Sequence, residues 1–449
     1  TIRELMTISQ VKPSDIKAIG VSAVMMGVWP LGKDGKLVRN PILWNDARAQ
    51  NEIDNLQKEN PYLFEDLFAY SGSIMQTGCT LPVLLWLKNH EPENLEKTQY
   101  IFCAKDYIRF RLTGQINTEI SEAVIAPGNA QTGKFEPAVF ELLDIIGLED
   151  KFLEPKASTE LAGGLTADAS KSLGLMANTA VAIGAGDVVS CVIGAGGGKT
   201  GHATTILGTT LMCGVTRDIP NFSPANLGLT FRLPENKWFR TMVNISGTTV
   251  LDWCLHTLTP DLLTCAQPYD ALSQMAQKSP LGANGARFVP YLSDIGIIFP
   301  RIEPKARAQF YGLSTSTSRE DLVRAIYEGI AFAIRENYET LNIQANTIHL
   351  VGGGAKSQFW AQMIADITQK ETVILEGSQF GAKGAAICAM IATNHFQSLQ
   401  DLDDRYFLSM HRFQPNTLLA SNYERAFQDF KQHGVTYLNS IINTQNGLN

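Results

Sequence analysis

The sequence predicts an α/β protein, and three observations carry that prediction. Short apolar runs alternate with amphipathic helical stretches along most of the chain. Glycine turns follow several of those runs, at Gly184, at Gly208 and at Gly352-Gly353-Gly354. The composition, 45% hydrophobic and 18% charged, is that of a globular chain with a core to bury.

The elements follow in order. Thr1-Ile2-Arg3-Glu4-Leu5 reads as the middle of an amphipathic helix and shows no signal-peptide pattern. Lys17-Ala18-Ile19-Gly20-Val21-Ser22 predicts a strand, and residues 52–58 and 82–89 predict helices. Tyr100-Ile101-Phe102-Cys103 predicts a strand, followed by a helix over 105–112 that Gly114 stops. Val181-Ala182-Ile183-Gly184 predicts a strand entering a glycine turn and then an apolar helix over 188–193. Hairpin-like runs follow at 203–207, 210–215 and 238–245. Helices over 319–341 and 358–369 flank the apolar strand Ile348-His349-Leu350-Val351. The tail from Asn443 is polar and reads as frayed.

At about 100–200 residues per domain, 449 residues imply two or three domains. The Gly-rich stretch near 194–201 is the natural boundary, giving one lobe over 1–194 and a second over 195–449. Lys plus Arg is 37 and Asp plus Glu is 44, a net charge of −7, which argues against a general nucleic-acid binder. It leaves room for ATP, which a few local cations and backbone N–H groups can hold. The seven cysteines are scattered without a CxxC pair and read as reduced thiols of a cytoplasmic protein. The seven histidines form no metal-ligand cluster, and no run is apolar and long enough to span a membrane.

Four segments carry candidate chemistry. In Gly184-Ala185-Gly186-Asp187, a carboxylate on a Gly-flanked turn can cap the following helix, accept a proton or bind Mg²⁺. In Thr204-Thr205-Ile206-Leu207-Gly208-Thr209-Thr210, a hydroxyl-bearing turn either cradles phosphate oxygens or simply closes a hairpin. Gly352-Gly353-Gly354-Ala355-Lys356-Ser357 sits between a strand and a helix start, where a nucleotide can lie against backbone; it lacks the Walker spacing, and a structural turn is the lesser alternative. Leu43-Trp44-Asn45-Asp46-Ala47-Arg48 offers an amide, a carboxylate and a guanidinium to a polyol, or forms a surface turn with an ion pair.

Taken in order, these segments resemble the FGGY carbohydrate kinases. The most specific match is Ala308-Gln309-Phe310-Tyr311-Gly312-Leu313 with Asp321-Leu322-Val323-Arg324-Ala325-Ile326-Tyr327-Glu328, which fits the C-terminal signature. Residues 352–366 are similar to the adenine-side segment, and residues 106–114 are also shared. The resemblance implies a two-lobed actin-like, ribonuclease-H-like ATPase fold with ATP and sugar meeting in a cleft, and Mg²⁺ on the phosphates. Asp187 falls on the catalytic base and is the candidate for an Mg²⁺ contact through water. Asn45, Asp46 and Arg48 fall on the sugar-contact segment. Gly208, Thr209 and Thr210 fall on a phosphate loop. Gly352, Gly353, Gly354, Ala355 and Lys356 fall on the nucleotide loop.

The sequence departs from the family pattern in places. The Asp-x-Gly-Thr phosphate loop that opens the family does not occur before the first helix, so a truncated form or a non-catalytic sugar- or nucleotide-binding remnant is the competing expectation. Met25 and Met26, in Val24-Met25-Met26-Gly27, stand at the first sugar-contact strand where xylulokinases carry Gln-Met-His. Asp294-Ile295-Gly296 replaces Gly-Glu-Arg, and Val83 replaces the lysine of the N-terminal signature. The leading expectation is ATP-dependent phosphorylation of a ketopentose such as xylulose; erythritol, glycerol and gluconate are the alternatives. The expected partner is the small sugar or polyol alone, with a homodimer as the prior for a soluble enzyme.

Overall fold

The computed structural model describes residues 2–402 and 406–446. The chain divides into two compact units. The first takes residues 1–200, 216–240 and 379–406; the second takes 201–215, 241–378 and 407–449.

In the first unit, short parallel pairings join Ala18–Ile19 to Ala180–Ala182 and Ser22–Ala23 to Ala185–Gly186. The strand expected over 17–22 is therefore two strands. Between them Gly20 passes the Ala385 carbonyl so closely that a Cβ would lie 1.9 Å from the oxygen, so the position requires glycine. Trp29–Gly32 and Thr98–Phe102 form an antiparallel pair. Helices Gln50–Glu59, Leu63–Ser71 and Thr80–His90 bury Ile53, Leu63, Leu67, Leu84 and Leu87 in one core, and Val83 is sealed in it with no exposure. The opening helix Ile2–Ser9 is amphipathic as expected, with Ile2 and Met6 packed against Val21, Leu165 and Val181. Helix Asp187–Gly194 packs on helix Phe380–Ala392, where a Cβ on Gly384 would meet the Ser190 oxygen at 1.8 Å; only glycine permits that approach.

The second unit is built on a sheet. Its strands run Leu211–Arg217, Ala203–Leu207, Thr347–Val351, Glu371–Leu375, Ser409–Phe413, with Lys237–Asn244 beside Leu211–Arg217. The middle three are parallel, Ala203 pairing with Ile348 and Ile348 with Thr372. Helix Arg319–Thr340 packs on helix Gln358–Thr368. Ser318 caps the longer helix, accepting from the Asp321 N–H while Asp321 accepts from the Ser318 N–H. Asp321 thus terminates a helix and also accepts from Ser279 and Asn284, so this part of the C-terminal signature is structural. The C-terminal helix Ala420–Asn446 continues past Asn443, where the sequence suggests fraying; residues 447–449 lie outside the described residues.

Candidate active site

In the first unit, Asp187 opens the helix Asp187–Gly194 but does not cap it. The N-cap is Gly186, and the Asp187 carboxylate is addressed only by N–H groups of its own turn, its own and that of Val188 at 2.8 Å. The residue is exposed, yet surrounding protein displaces enough water to push its carboxyl above the ordinary value; the two N–H groups work against that shift. A carboxylate so placed can accept a proton without first breaking a side-chain bond.

Asp46 and Arg48 form a closed pair. Asp46 Oδ1 accepts from Arg48 Nε at 2.8 Å and from the Arg48 N–H at 3.0 Å, and Oδ2 accepts from Nη2 at 2.8 Å. The hydrogen bond from Arg48 holds the Asp46 carboxyl below the usual range. The guanidinium lies 4.7 Å from the Trp86 ring centroid. Both side chains are partly exposed, and Asn45 and Trp44 beside them are exposed. The ion-paired turn is thus real, and it leaves remaining lone pairs and N–H groups at the surface.

Met25 and Met26 are buried, at 5% and 9% exposure. Met25 lies against the Asp187 turn: a Cβ on Gly186 would fall 2.3 Å from its Cγ. Met26 holds a left-handed φ of 63°, and its N–H donates to Glu122 Oε2 at 2.9 Å. Met25 thus puts an apolar side chain against the turn, and neither methionine has much surface to offer a sugar.

Behind these turns lies a buried charge network that sequence patterning did not single out. Lys105 Nζ sits 3.2 Å from Asp106, 3.5 Å from Glu119 and 3.4 Å from Glu122, all fully or almost fully buried. Arg109 binds Asp106 at 2.8 Å and donates to the Ile183 carbonyl at 2.7 Å. Ser121 Oγ accepts from the Gly186 N–H at 3.4 Å and donates to Glu119. The network therefore grips both the Met26 turn and the strand that leads to Asp187. Burial pushes Glu122 up; Asp106 feels the same burial, but Lys105 and Arg109 more than reverse it and hold it low. With two cations facing three carboxylates, a proton on Glu122 makes the cluster neutral. The sequence signal was Lys105, Asp106 and Arg109 on one helix with Glu119 and Glu122 soon after.

In the second unit, Gly208-Thr209-Thr210 connects two antiparallel strands, Leu207 pairing with Leu211. Thr209 and Thr210 are exposed. The loop is pinned through its carbonyls, with Thr248 N–H on Gly208 O at 2.7 Å and Gly247 N–H on Thr209 O at 2.8 Å. Gly352 follows the neighbouring parallel strand, Ile206 pairing with Val351, so the two loops leave adjacent strands at the same end. Gly352 has φ +98°, and a Cβ there would lie 2.6 Å from the Leu207 oxygen. Gly353 faces open space, Lys356 is exposed, and Ala355 is buried. Ser357 caps the helix Gln358–Thr368 by accepting the Trp360 N–H at 3.3 Å. The structure brings the two expected phosphate and nucleotide segments together, at the end of parallel strands where α/β sheets commonly bind ligands.

Two family models match: the FGGY family of carbohydrate kinases, N-terminal domain, over residues 1–194, and the C-terminal domain of the same family over residues 203–393. The chain belongs to the FGGY family of carbohydrate kinases. It is 29% identical over 435 residues to the xylulose kinase of Bacillus subtilis (strain 168), covering 96% of this chain and 85% of the relative. The ligand-bound xylulose kinase and the gluconate kinase of Lactobacillus acidophilus each superpose with a TM-score of 0.86 at 25% identity, covering 96% of this chain and 86% of theirs. As an FGGY kinase the chain has the two-lobed actin-like, ribonuclease-H-like ATPase fold and is an enzyme that phosphorylates a sugar, with ATP as the family's phosphate donor. Among the described residues, no helix is long and apolar enough to cross a membrane.

Proposed function

We propose that this kinase phosphorylates a ketopentose such as xylulose and that Asp187 is its general base. The observation that carries the role of Asp187 is its carboxylate: exposed, raised by loss of water, and bonded only to backbone of its own turn. In this reading it accepts the proton of the sugar hydroxyl as that oxygen attacks the terminal phosphorus of ATP and ADP leaves. Asp46, Arg48 and Asn45 present hydrogen-bonding groups to the sugar. The exposed Thr209 and Thr210 and the backbone of Gly208 address phosphate, while Gly352, Gly353 and Gly354 leave a face against which a nucleotide lies, with Lys356 beside it. Residues 1–194 are assigned to sugar binding and 195–449 to the nucleotide.

Mg²⁺ fits this donor set in one manner. Among the described residues no three His, Cys, Asp or Glu side chains converge on a point that could hold a metal, so these residues form no all-protein cage. Mg²⁺ retains several waters and binds phosphates with one or two carboxylates, and the exposed Asp187 suits an outer contact of that type. When bound, the ion would neutralise phosphate charge.

A second reading keeps the chemistry and changes the sugar. Met25 packs against the Asp187 turn with buried Met26 next to it in the chain, an apolar pair that favours a substrate with fewer oxygens on that side; erythritol and glycerol are the candidates on that ground, and gluconate is kept as the sugar-acid alternative. A coupled ADP-release screen over ketopentoses, polyols and aldonates separates the readings. The expected result is the highest kcat/KM on a ketopentose; higher kcat/KM on a polyol or aldonate replaces xylulose, and no sugar-stimulated ADP release refutes kinase turnover by this chain.

A further inference from the structure

The strand that delivers Asp187 is interrupted. Ala180–Ala182 and Ala185–Gly186 are separate strands, and Ile183 and Gly184 between them belong to neither. Peptide groups outside a ladder need other partners. The Arg109 guanidinium donates to the Ile183 carbonyl at 2.7 Å. The Gly184 N–H donates to the Ser158 carbonyl at 2.9 Å. The Gly186 N–H donates to Ser121 Oγ at 3.4 Å.

Two of these holders converge on one carboxylate. Ser121 Oγ donates to Glu119 Oε2, and Ser158 Oγ donates to Glu119 Oε1. Glu119 therefore bridges the two serines that hold either end of Gly184-Ala185-Gly186. Lys105 Nζ, 3.5 Å from Glu119 Oε2, ties the bridge to the buried ion network. Glu119, Ser121 and Ser158 have no exposure, so none of them reaches a substrate.

A carboxylate is costly to desolvate, and apolar residues of similar volume often serve stability as well or better. What Glu119 supplies that an apolar residue lacks is two acceptors at fixed positions. A base needs that precision: it must stand within about 0.5 Å of its productive place, and a misplacement of about 1 Å can cost about 10²-fold. We propose that Glu119 and Ser121 are positioning residues for Asp187. The carboxylate fixes both serines, and the serines fix the two amides that set where the next side chain stands. The inference rests on Asp187 being the general base.

Steady-state kinetics of full-chain Ser121→Ala test this, with ATP and the sugar that ranks first in the ADP-release screen. The expected kcat falls about 10–100-fold, while KM for ATP is unchanged. In the Asp187→Asn background the same substitution causes no further loss, because displacing an absent base costs nothing. A residue that only supports the fold gives independent, additive losses instead. Circular dichroism checks the fold of each variant. Glu119→Gln, which leaves one serine without its acceptor, should give the same pattern and decides if Ser121→Ala does not fold. Parental kcat in the folded variant, or a loss that adds fully to that of Asp187→Asn, overturns the positioning role and leaves the base standing. Parental turnover in Asp187→Asn, or no sugar-stimulated turnover in the parent chain, removes the base and this inference with it.

Discussion

Asp187 and Glu122 are both carboxylates raised by burial, and they differ in what faces them. Asp187 meets only backbone N–H groups and solvent, whereas Glu122 meets Lys105 and the Met26 N–H. For Asp187, the proposed role gives a direct expectation. Asp187→Asn lowers kcat by about 10²–10⁴-fold while ATP binding, measured by titration, is retained. Because its pKa is raised, the acid limb of kcat/KM against pH lies above that of an ordinary aspartate: turnover falls as pH drops through the raised value and the base is protonated. The same sign makes the ionised residue slightly unfavourable for folding at neutral pH, so the melting temperature of Asp187→Asn is not below that of the parent. For the buried cluster the expectation is structural. Lys105→Met leaves Asp106, Glu119 and Glu122 with Arg109 as the only cation, and urea unfolding should show a loss of about 3–5 kcal/mol.

At the scale of elements, the loops at the ends of Ala203–Leu207 and Thr347–Val351 are the sharpest features. Gly352→Ala should strain the second loop through both its φ of +98° and the 2.6 Å approach to the Leu207 oxygen. The expected outcome is a stability loss of about 1–3 kcal/mol in thermal unfolding and a KM for ATP raised severalfold. This loop was legible in the sequence because three glycines directly follow an apolar β run, a pattern with a physical reason. The helices over 50–59, 80–90, 104–113 and 319–340 were legible from their periodicity and, for 104–113, from Gly114 in its left-handed stop. The Lys105 network was not: its charges stand close together in the sequence at Lys105, Asp106, Arg109, Glu119 and Glu122, but Lys and Glu are almost never fully buried, so a solvated face is the default reading. Nor was the need for glycine at position 20, which comes from the Ala385 carbonyl far away in the chain. The Asp46–Arg48 pair was legible as two alternatives, and the geometry shows the ion pair while leaving sugar contact to experiment.

At the scale of the molecule, the family assignment fixes the reaction class, and the proposed influence of Met25 and Met26 on the choice of sugar is open to direct test. Replacing both with polar residues is that test: Met25→Gln with Met26→His should shift the ranking in the ADP-release screen toward more hydroxylated sugars, and an unchanged ranking removes the pair from substrate choice. The discontinuity of the first unit has a consequence for how the protein is made. Helix Asp187–Gly194 is covered by Phe380–Ala392, within the segment 379–406 that completes this unit. A ribosome adding about 5–20 residues per second delivers that segment roughly 10–40 s after residue 200. For that interval the face of the helix at Ser190 and Gly194, against which Gly384 and Phe380 come to pack, lacks its cover. A fragment ending at residue 200 never receives its cover, and fractionation after expression should find it in the insoluble pellet.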